Sequence, residues 1–590
     1  MSASPLETRP TTGGRPLRFF LGREPMPDEE TMAQLSRLAL ARGLVHHVAV
    51  LPDIHRKERH PSPTGTSFAA AGAIVPRAVD TGICCGMRVV RTGVAADAFT
   101  APVLDALFAG IMAKIPLVEH EREVLSEQEV EDILVRGGSW SRERFGLADA
   151  ELARIEDGGT MPTDAGDPAR IVAAIPRKAL RKGRRTFCTL GGGNHFLELQ
   201  EIVEVLDEDL ATALGLARSE TVFMLHTGSR SLGSKTMKAH VERLEPLWQP
   251  ASDGSPLWSL PADSEDGSAF ARAVSAASNF GFANRIAITE QLRAVVRGVL
   301  HDGSLELPLL VDCAHESIRP ETWKGEQVWV HRHGGSRALP PSHCALHPVF
   351  SHTGQPVPIP GSMGDASYIG VASEGAVDAF CSVNHGAGRV MDKPEAQARF
   401  TGQGVEAEMR EKRIRLYRYG AGDIAEQAPG SFKDVSRVVD AMREHDLARP
   451  VVTSPARHLE RLSRHVGYSS AGREICGVNT HLVCDGVYLR SVASLMRIAG
   501  AGNPCTTAQG GFYGVEHDNA VENTLDSARV VGIFRTAFEL TGHDLRIDVD
   551  RGPDRQRIGG TCRSEWVDRE QCSPRPRRGG RIPVPCNDVE

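Results

Sequence analysis

TVFMLHTGSRSLG (221–233) changes character at one residue: Thr, Val, Phe, Met and Leu run into His226, and glycine, serine and arginine follow. A short run of β-branched and aromatic residues closed by Gly-Ser reads as a buried strand that delivers a histidine at its end. The same grammar recurs three times. TFCTLGGGNH (186–195) ends at His195, LPLLVDCAH (307–315) at His315, and AFCSVNH (379–385) at His385. A further segment, VDTGICCGMRVV (79–90), sets a Cys–Cys–Gly turn before an apolar run. Strand ends are where a rigid scaffold holds reactive groups, and glycine lets a ligand approach the backbone.

Helical patterns surround these segments. ETMAQLSRLALARG (30–43) is amphipathic and leads into a short strand, HHVAVLPDIH (46–55); helical stretches follow at 101–135. A basic run, PRKALRKGRRTF (176–187), directly precedes the glycine turn at His195 and is either a contact for a nucleic-acid backbone or a solvated basic helix face. A Pro/Ser/Asp-rich excursion at 249–268 leads into a long helical pattern over 268–300, and FKDVSRVVDAMREHD (432–446) is a further amphipathic helix. No repeat of 20–50 residues is present. The fold class read from this alternation is α/β, of mixed α+β type: one large body with a central β core and peripheral helices.

The chain has 590 residues and is 41% hydrophobic, which excludes wholesale disorder and is ample for a packed core. No apolar run reaches the roughly 18 residues of a membrane span, and the N-terminus lacks a secretory pattern, so a cytoplasmic protein is expected. The net charge of −7 argues against a chain-wide cationic coat while leaving a local basic groove open. Of the 12 cysteines, six lie before residue 457 and six in the last 134 residues, so the text changes character near residue 456.

Imidazole and thiolate together suit borderline or softer divalent ions, whereas an all-oxygen site would suit Mg²⁺; long-range spacing does not name the metal. Phosphate binding has separate support in four glycine- or serine-rich turns, GGGNH, HTGSR, PGSMG and HGAGR, two of which carry Arg. Backbone N–H groups and guanidinium forks match phosphate oxygens.

LPDIH (51–55), CCGMR (84–88), TLGGGNHFLE (189–198), LHTGSRSLG (225–233), FANR (282–285), DCAHE (312–316), PGSMGDASYI (360–369), NHGAGR (384–389) and APGSFKDV (428–435) together resemble the RtcB RNA ligases, in the family's order. The resemblance implies GTP- and Mn²⁺-dependent joining of an RNA 3′-phosphate or 2′,3′-cyclic phosphate to a 5′-hydroxyl, in tRNA splicing or RNA repair. A histidine would take GMP from GTP and pass it to the RNA 3′-phosphate, which otherwise lacks a leaving group. By position, His385 matches the guanylylated nucleophile and Cys85 the thiolate bridging two Mn²⁺ ions. His195, His226 and His315 match the imidazole ligands. Asn194 and Glu198 match guanylate contacts, Arg230 a phosphate contact, and Ser362, Gly386, Ala387, Gly388 and Arg389 the nucleotide turns. Asp53 and His55 match an early PDxH motif.

Three departures stand out. Where the family carries a metal-binding Asp three residues before the bridging Cys, this chain has Gly82; either Asp80 substitutes as a metal ligand or one ion binds more weakly. His333 in HRHGGSR replaces a Lys. The family's terminal Leu-Lys-Gly is missing, and VVTSPARHLERLS continues for over a hundred residues. Shifted by one nucleotide, codons permitted for Thr453–Ser463 spell Arg-Pro-Leu-Leu-Val-Ile-Leu-Lys-Gly and a stop. The expected organisation is therefore a ligase-like domain over 1–452 and a non-family tail over 453–590, either a frameshift product or an appended domain with a helix near 511–545 and a basic run at 573–581. Two other functions stay open: a Cys/His metal phosphoesterase without a covalent nucleotide, and an RNA-end or nucleotide binder with impaired catalysis.

Overall fold

The computed structural model describes residues 6–461 apart from 59, 162–166, 249–256 and 418–423, and five short strands beyond residue 478. Two compact units divide at His465/Val466. The first is an α/β body built on a nine-stranded and a six-stranded sheet. In the larger sheet four strands lie side by side in the order Leu309–Ala314, Gly86–Ala95, Glu220–Thr227 and Phe196–Glu201. All three pairings are antiparallel, so two of these strands end, and two begin, at the same edge. That alternation is why His226 and His315, at strand ends, meet Cys85 and His195, which stand just before strand starts. The register confirms it: Met87 and Phe196 both lie opposite His226, and Ala314 lies opposite Gly86.

The six-stranded sheet carries the strand Leu44–His55 beside Thr64–Ala70, then Glu326–His333 and Glu316–Trp323. Its edge brings Asp53, Gly334 and Glu316 towards the short strand Ser382–Asn384 that precedes His385. The helical patterns read at 30–43, 101–135, 268–300 and 432–446 find counterparts in Glu29–Ala39, Ala101–Lys114, Glu127–Arg136, Glu265–Val299 and Val435–Glu444, and the basic run at 176–187 forms the helix Arg177–Thr186.

The 35-residue helix Glu265–Val299 packs behind the reactive edge, with Phe270, Phe280, Phe282, Ile286 and Ile288 fully buried. Two of its buried polar side chains, Asn284 and Arg285, tie the site loops together. Arg285 donates to Asp312 Oδ1 (2.8 Å), to Cys84 O (2.7 Å) and to Thr227 O (2.9 Å). Asn284 accepts from Thr189 N (3.2 Å) and donates to Gly228 O (3.1 Å). Arg88 completes the buried ion triad at Asp312 Oδ2, 2.8 Å away. A buried charge of this kind is tolerated only when its partners are all present.

The strand Ala448–Arg461 runs through residue 453 without a break, pairing with Ala366–Ala372 and with Phe196–Gln200. The second unit contains an antiparallel sheet of Asn479–Cys484, Leu545–Asp550 and Ile558–Cys562, and a hairpin of Pro504–Thr506 with Phe512–Val515. The segment expected to form a helix near 511–545 has instead a strand of that hairpin, Phe512–Val515, at its described start; most of the remainder, and the basic run at 573–581, lie outside the described residues. Among the described residues no helix is long and apolar enough to cross a membrane.

Candidate metal centre and nucleophile

Cys85 Sγ lies 3.3 Å from His195 Nε2 and 3.2 Å from His226 Nε2. His226 Nε2 in turn stands 3.3 Å from His315 Nε2. The Cys85, His195 and His226 donor atoms all fall within 4.8 Å of one another. Burial pushes the Cys85 thiol up to about 12 and holds His195 and His315 well below the ordinary histidine range. The thiol and the three Nε2 atoms lie in contact, with no carboxylate among them. One thiolate and imidazole nitrogens are the donor set of a borderline divalent cation, and the residues fit one. His226 Nδ1 is 2.9 Å from the Asn194 carbonyl, which fixes its proton there and leaves Nε2 free to ligate.

Beside this cluster sits His385, its ring centroid 4.7 Å from that of His315. His385 Nδ1 faces two acceptors, Asp53 Oδ2 at 2.6 Å and Gly334 O at 2.8 Å. Acceptors on both sides require the proton on Nδ1, so Nε2 carries the lone pair. Burial disfavours the charged ring, but the Asp53 hydrogen bond and charge outweigh it and raise the pKa of His385. Gly388 makes this approach possible: at φ +78°, a Cβ there would come within 2.3 Å of the Asp53 carbonyl. His55 donates from Nδ1 to the same carbonyl (2.8 Å) and is pushed down to about 3 by burial.

The remaining sequence candidates fall into two groups. The 386–389 turn follows His385 and is bonded to the turn at 360–362, while Asn194 holds His226 through its carbonyl. Asn194 Oδ1 accepts from Gln427 Nε2 at 3.1 Å, and Ala387 N bonds the Pro360 carbonyl at 3.1 Å. Ser362 Oγ donates to Asp365 and accepts from Gly364 N. Asn384 Nδ2 holds the Gly386 carbonyl at 3.2 Å. Glu198 is buried and accepts from Gln200 at 2.7 Å. Arg389 clasps the carbonyls of Met391 and Glu426, and its guanidinium lies over the Phe432 ring.

The second group bonds to protein groups outside the thiol–imidazole donors or on their far side. Asp80 turns its carboxylate to Lys57 and to Thr81 N, and is not part of the thiol–imidazole cluster. Arg230 points to the His195 ring and Thr189. His333 is buried, 3.3 Å from Thr64 Oγ1 and with its ring 4.8 Å from that of His60.

Three residues were missed. Glu316 accepts from Asp80 N (3.2 Å) and Gly334 N (3.1 Å), joining the loop before Cys85 to the loop that holds His385; burial raises its pKa to about 8. Its position directly after His315 in DCAHE was the available signal. Lys57 pairs with Asp80 in the loop before Cys85, and Lys393 Nζ is 3.6 Å from buried Glu426. Lys57 follows LPDIH in sequence; nothing marked Lys393.

The family profile described as "tRNA-splicing ligase RtcB" matches residues 34–457. The chain belongs to the RtcB family. It is 32% identical over 441 residues to the tRNA-splicing ligase RtcB of Thermococcus kodakarensis, covering 72% of this chain and 90% of that one. It is 33% identical over 431 residues to the RNA-splicing ligase RtcB of Mycobacterium tuberculosis, covering 71% and 97%. To the Pyrococcus furiosus tRNA-splicing ligase RtcB it is 34% identical over 399 residues, covering 65% of this chain and 40% of the other. In this RtcB-family chain the matched span contains the whole thiol–imidazole cluster, His385 and Asp53.

Proposed function

We propose that the chain is a GTP- and Mn²⁺-dependent RNA ligase that joins 3′-phosphate or 2′,3′-cyclic phosphate ends to 5′-hydroxyl ends through guanylylated His385. The observation that carries this reading is the tautomer of His385: Asp53 and the Gly334 carbonyl hold its proton on Nδ1, leaving Nε2 as a nucleophile beside a cation site. A divalent cation held by Cys85, His195, His226 and His315 would neutralise phosphate charge and stabilise leaving oxygens.

His385 Nε2 attacks the α-phosphorus of GTP, a P–N bond forms, and the P–O bond to pyrophosphate breaks. Asp53 stabilises the imidazolium that results, as a buried carboxylate behind an imidazole does elsewhere. An oxygen of the RNA 3′-phosphate then displaces His385 from phosphorus, and the 5′-hydroxyl displaces GMP. A cyclic phosphate is first opened by water. The turns at 360–364 and 385–388, with Asn194 and Gln427, supply the backbone and amide groups around the nucleotide.

Incubating the full chain with [α-³²P]GTP and Mn²⁺ tests this. Label that survives denaturation, is released by acid and disappears in His385→Ala is the expected result; absence of label favours a phosphoesterase. A second reading, an RNA-end or nucleotide binder without joining activity, is favoured by Asp80 bonding Lys57 instead of adding a carboxylate to the cluster. It predicts GTP binding with no joined RNA at saturating Mn²⁺. Repeating the assay on a chain ending in a restored Leu-Lys-Gly after residue 452 tests the tail.

A further inference from the structure

Beside the strand Leu309–Ala314, a cavity of about 180 Å³ lies between the loop 153–158 and the segment 337–355. None of the thiol–imidazole donors lines it, and neither does His385. The carboxylates that line it belong to Glu156, Asp157 and Asp312, and each is already matched by guanidinium groups. Arg88, Arg285 and Arg293 meet Asp312, Glu151 and Glu290, three cations to three anions. Arg319, Arg332 and Arg337 meet Glu156, Asp157 and Glu321 in the same ratio.

Arg154 stands outside both networks. It lines the same cavity, half-buried, and among the described residues no carboxylate lies at ion-pair distance from it. Burial lowers its pKa, Arg91 lowers it further, and Glu151 opposes both only from a distance. A partly buried guanidinium without an anion costs free energy that a bound anion offsets. Arg337 brings a second unfilled donor. Its Nη1 bonds Asp157 Oδ1 at 2.9 Å, but its buried Nε has no hydrogen-bond acceptor, and Glu321 Oε1 stands 3.8 Å away. His347 completes the wall as a neutral ring. Its Nδ1 accepts from Val349 N (3.1 Å) and Phe350 N (3.0 Å), which places the ring proton on Nε2, and the ring also bonds the Ala153 backbone.

We propose that this cavity is a further anion site, which takes a phosphate group on the Arg154 guanidinium and Arg337 Nε, apart from the cation cluster and His385. A guanidinium fork matches two oxygens of a tetrahedral oxyanion, and a lone N–H takes a third. The volume admits one phosphate with a few waters and falls short of the roughly 300–1,000 Å³ of a drug-sized ligand pocket, so any nucleoside carried on that phosphate stays outside. A metal cation finds no free carboxylate here, because guanidinium groups already hold all three. The bound phosphate would fasten the loop 153–158 to the segment 344–350. Glu156 in that loop accepts from Ala314 N at 2.8 Å, one residue before His315. Nothing in this site depends on the nucleotide-transfer reading.

Hydrogen–deuterium exchange on the full chain, with inorganic phosphate exchanged for chloride at constant ionic strength, tests this. The expected result is slower exchange at 153–158 and 344–350 as phosphate is added. Arg154→Met has no ion pair to lose. It should need about tenfold more phosphate, or more, for half the effect, as loss of a charge-assisted hydrogen bond implies. No protection at these segments, protection confined to the turns at 360–364 and 385–388, or an equal concentration dependence in Arg154→Met overturns the proposal. Adenosine monophosphate and adenosine are further arms that separate the sources of the phosphate. Half-protection at a lower concentration of adenosine monophosphate than of inorganic phosphate assigns the site to a nucleotide's terminal phosphate, and the reverse order assigns it to the free anion. Equal protection by adenosine, which carries no phosphate, overturns phosphate recognition.

Discussion

Buried histidines occupy both sheets, and their surroundings differ in kind. In the six-stranded sheet His47 donates to the Asp378 carbonyl at 2.8 Å and stacks on Phe380, while His331 faces the Trp329 carbonyl at 3.1 Å, accepts from Val75 N at 2.9 Å and stacks on Phe68. Each is satisfied by neutral backbone, and burial pushes their pKa values down to about 4 and about 3. At the reactive edge of the nine-stranded sheet, ring nitrogens face a thiol and one another instead. The first arrangement is complete as a neutral structure; the second is a donor set that could hold a cation. A histidine at a strand becomes a ligand only through what its neighbours leave unsatisfied.

That contrast can be broken experimentally. The largest effect is expected at the nucleophile: His385→Ala should lower guanylylation by about 10³-fold or more, as loss of a covalent nucleophile does, with the thermal midpoint little changed. Label retained within tenfold of the unaltered chain would remove His385 from the chemistry. Next comes the support behind the cluster. Arg285→Met strips Asp312, Cys84 O and Thr227 O of their shared donor and should cost about 3–5 kcal/mol in denaturant unfolding.

Asp53→Asn keeps the shape but removes the charge behind His385, and should slow guanylylation by about a hundredfold at neutral pH. Because Asp53 raises the His385 pKa and attack needs the neutral ring, the acidic limb of the pH–rate profile should move to lower pH in this variant. A limb that stays in place would mean that another group sets it.

The smallest effect belongs to the structural histidines. Their folded pKa values lie below the unfolded one, so the unfolded chain binds more protons. Stability is fully present above pH 6.5 and is lost as the pH falls towards 4 for His47 and towards 3 for His331. At pH 5 each costs about 2 kcal/mol. Melting between pH 7 and 5 should show this loss, and His331→Phe, which keeps the stacking on Phe68, should remove part of it. A flat profile would mean that these rings are not buried neutral.

The sequence announced the parts through local chemistry. Apolar runs closing on His226, His315 and His385, with Cys85 before another, specified strands bordered by reactive groups, because side-chain periodicity and turn residues act over a few neighbours; the run expected as a strand ending at His195 is instead turn, and the strand follows it. The helices were legible for the same reason, down to Glu265–Val299. The sequence alone did not say which strands lie side by side, and that decided the site. Antiparallel order put two strand ends and two strand starts at one edge. Tertiary structure likewise sent Asp80 to Lys57, set Arg230 on His195 over Gly191 and inserted Glu316 between two loops. Hydrogen bonds and ion pairs between residues far apart in sequence depend on distances of a fraction of an ångström. Residue type determines what a side chain can bind; only packing determines what it meets.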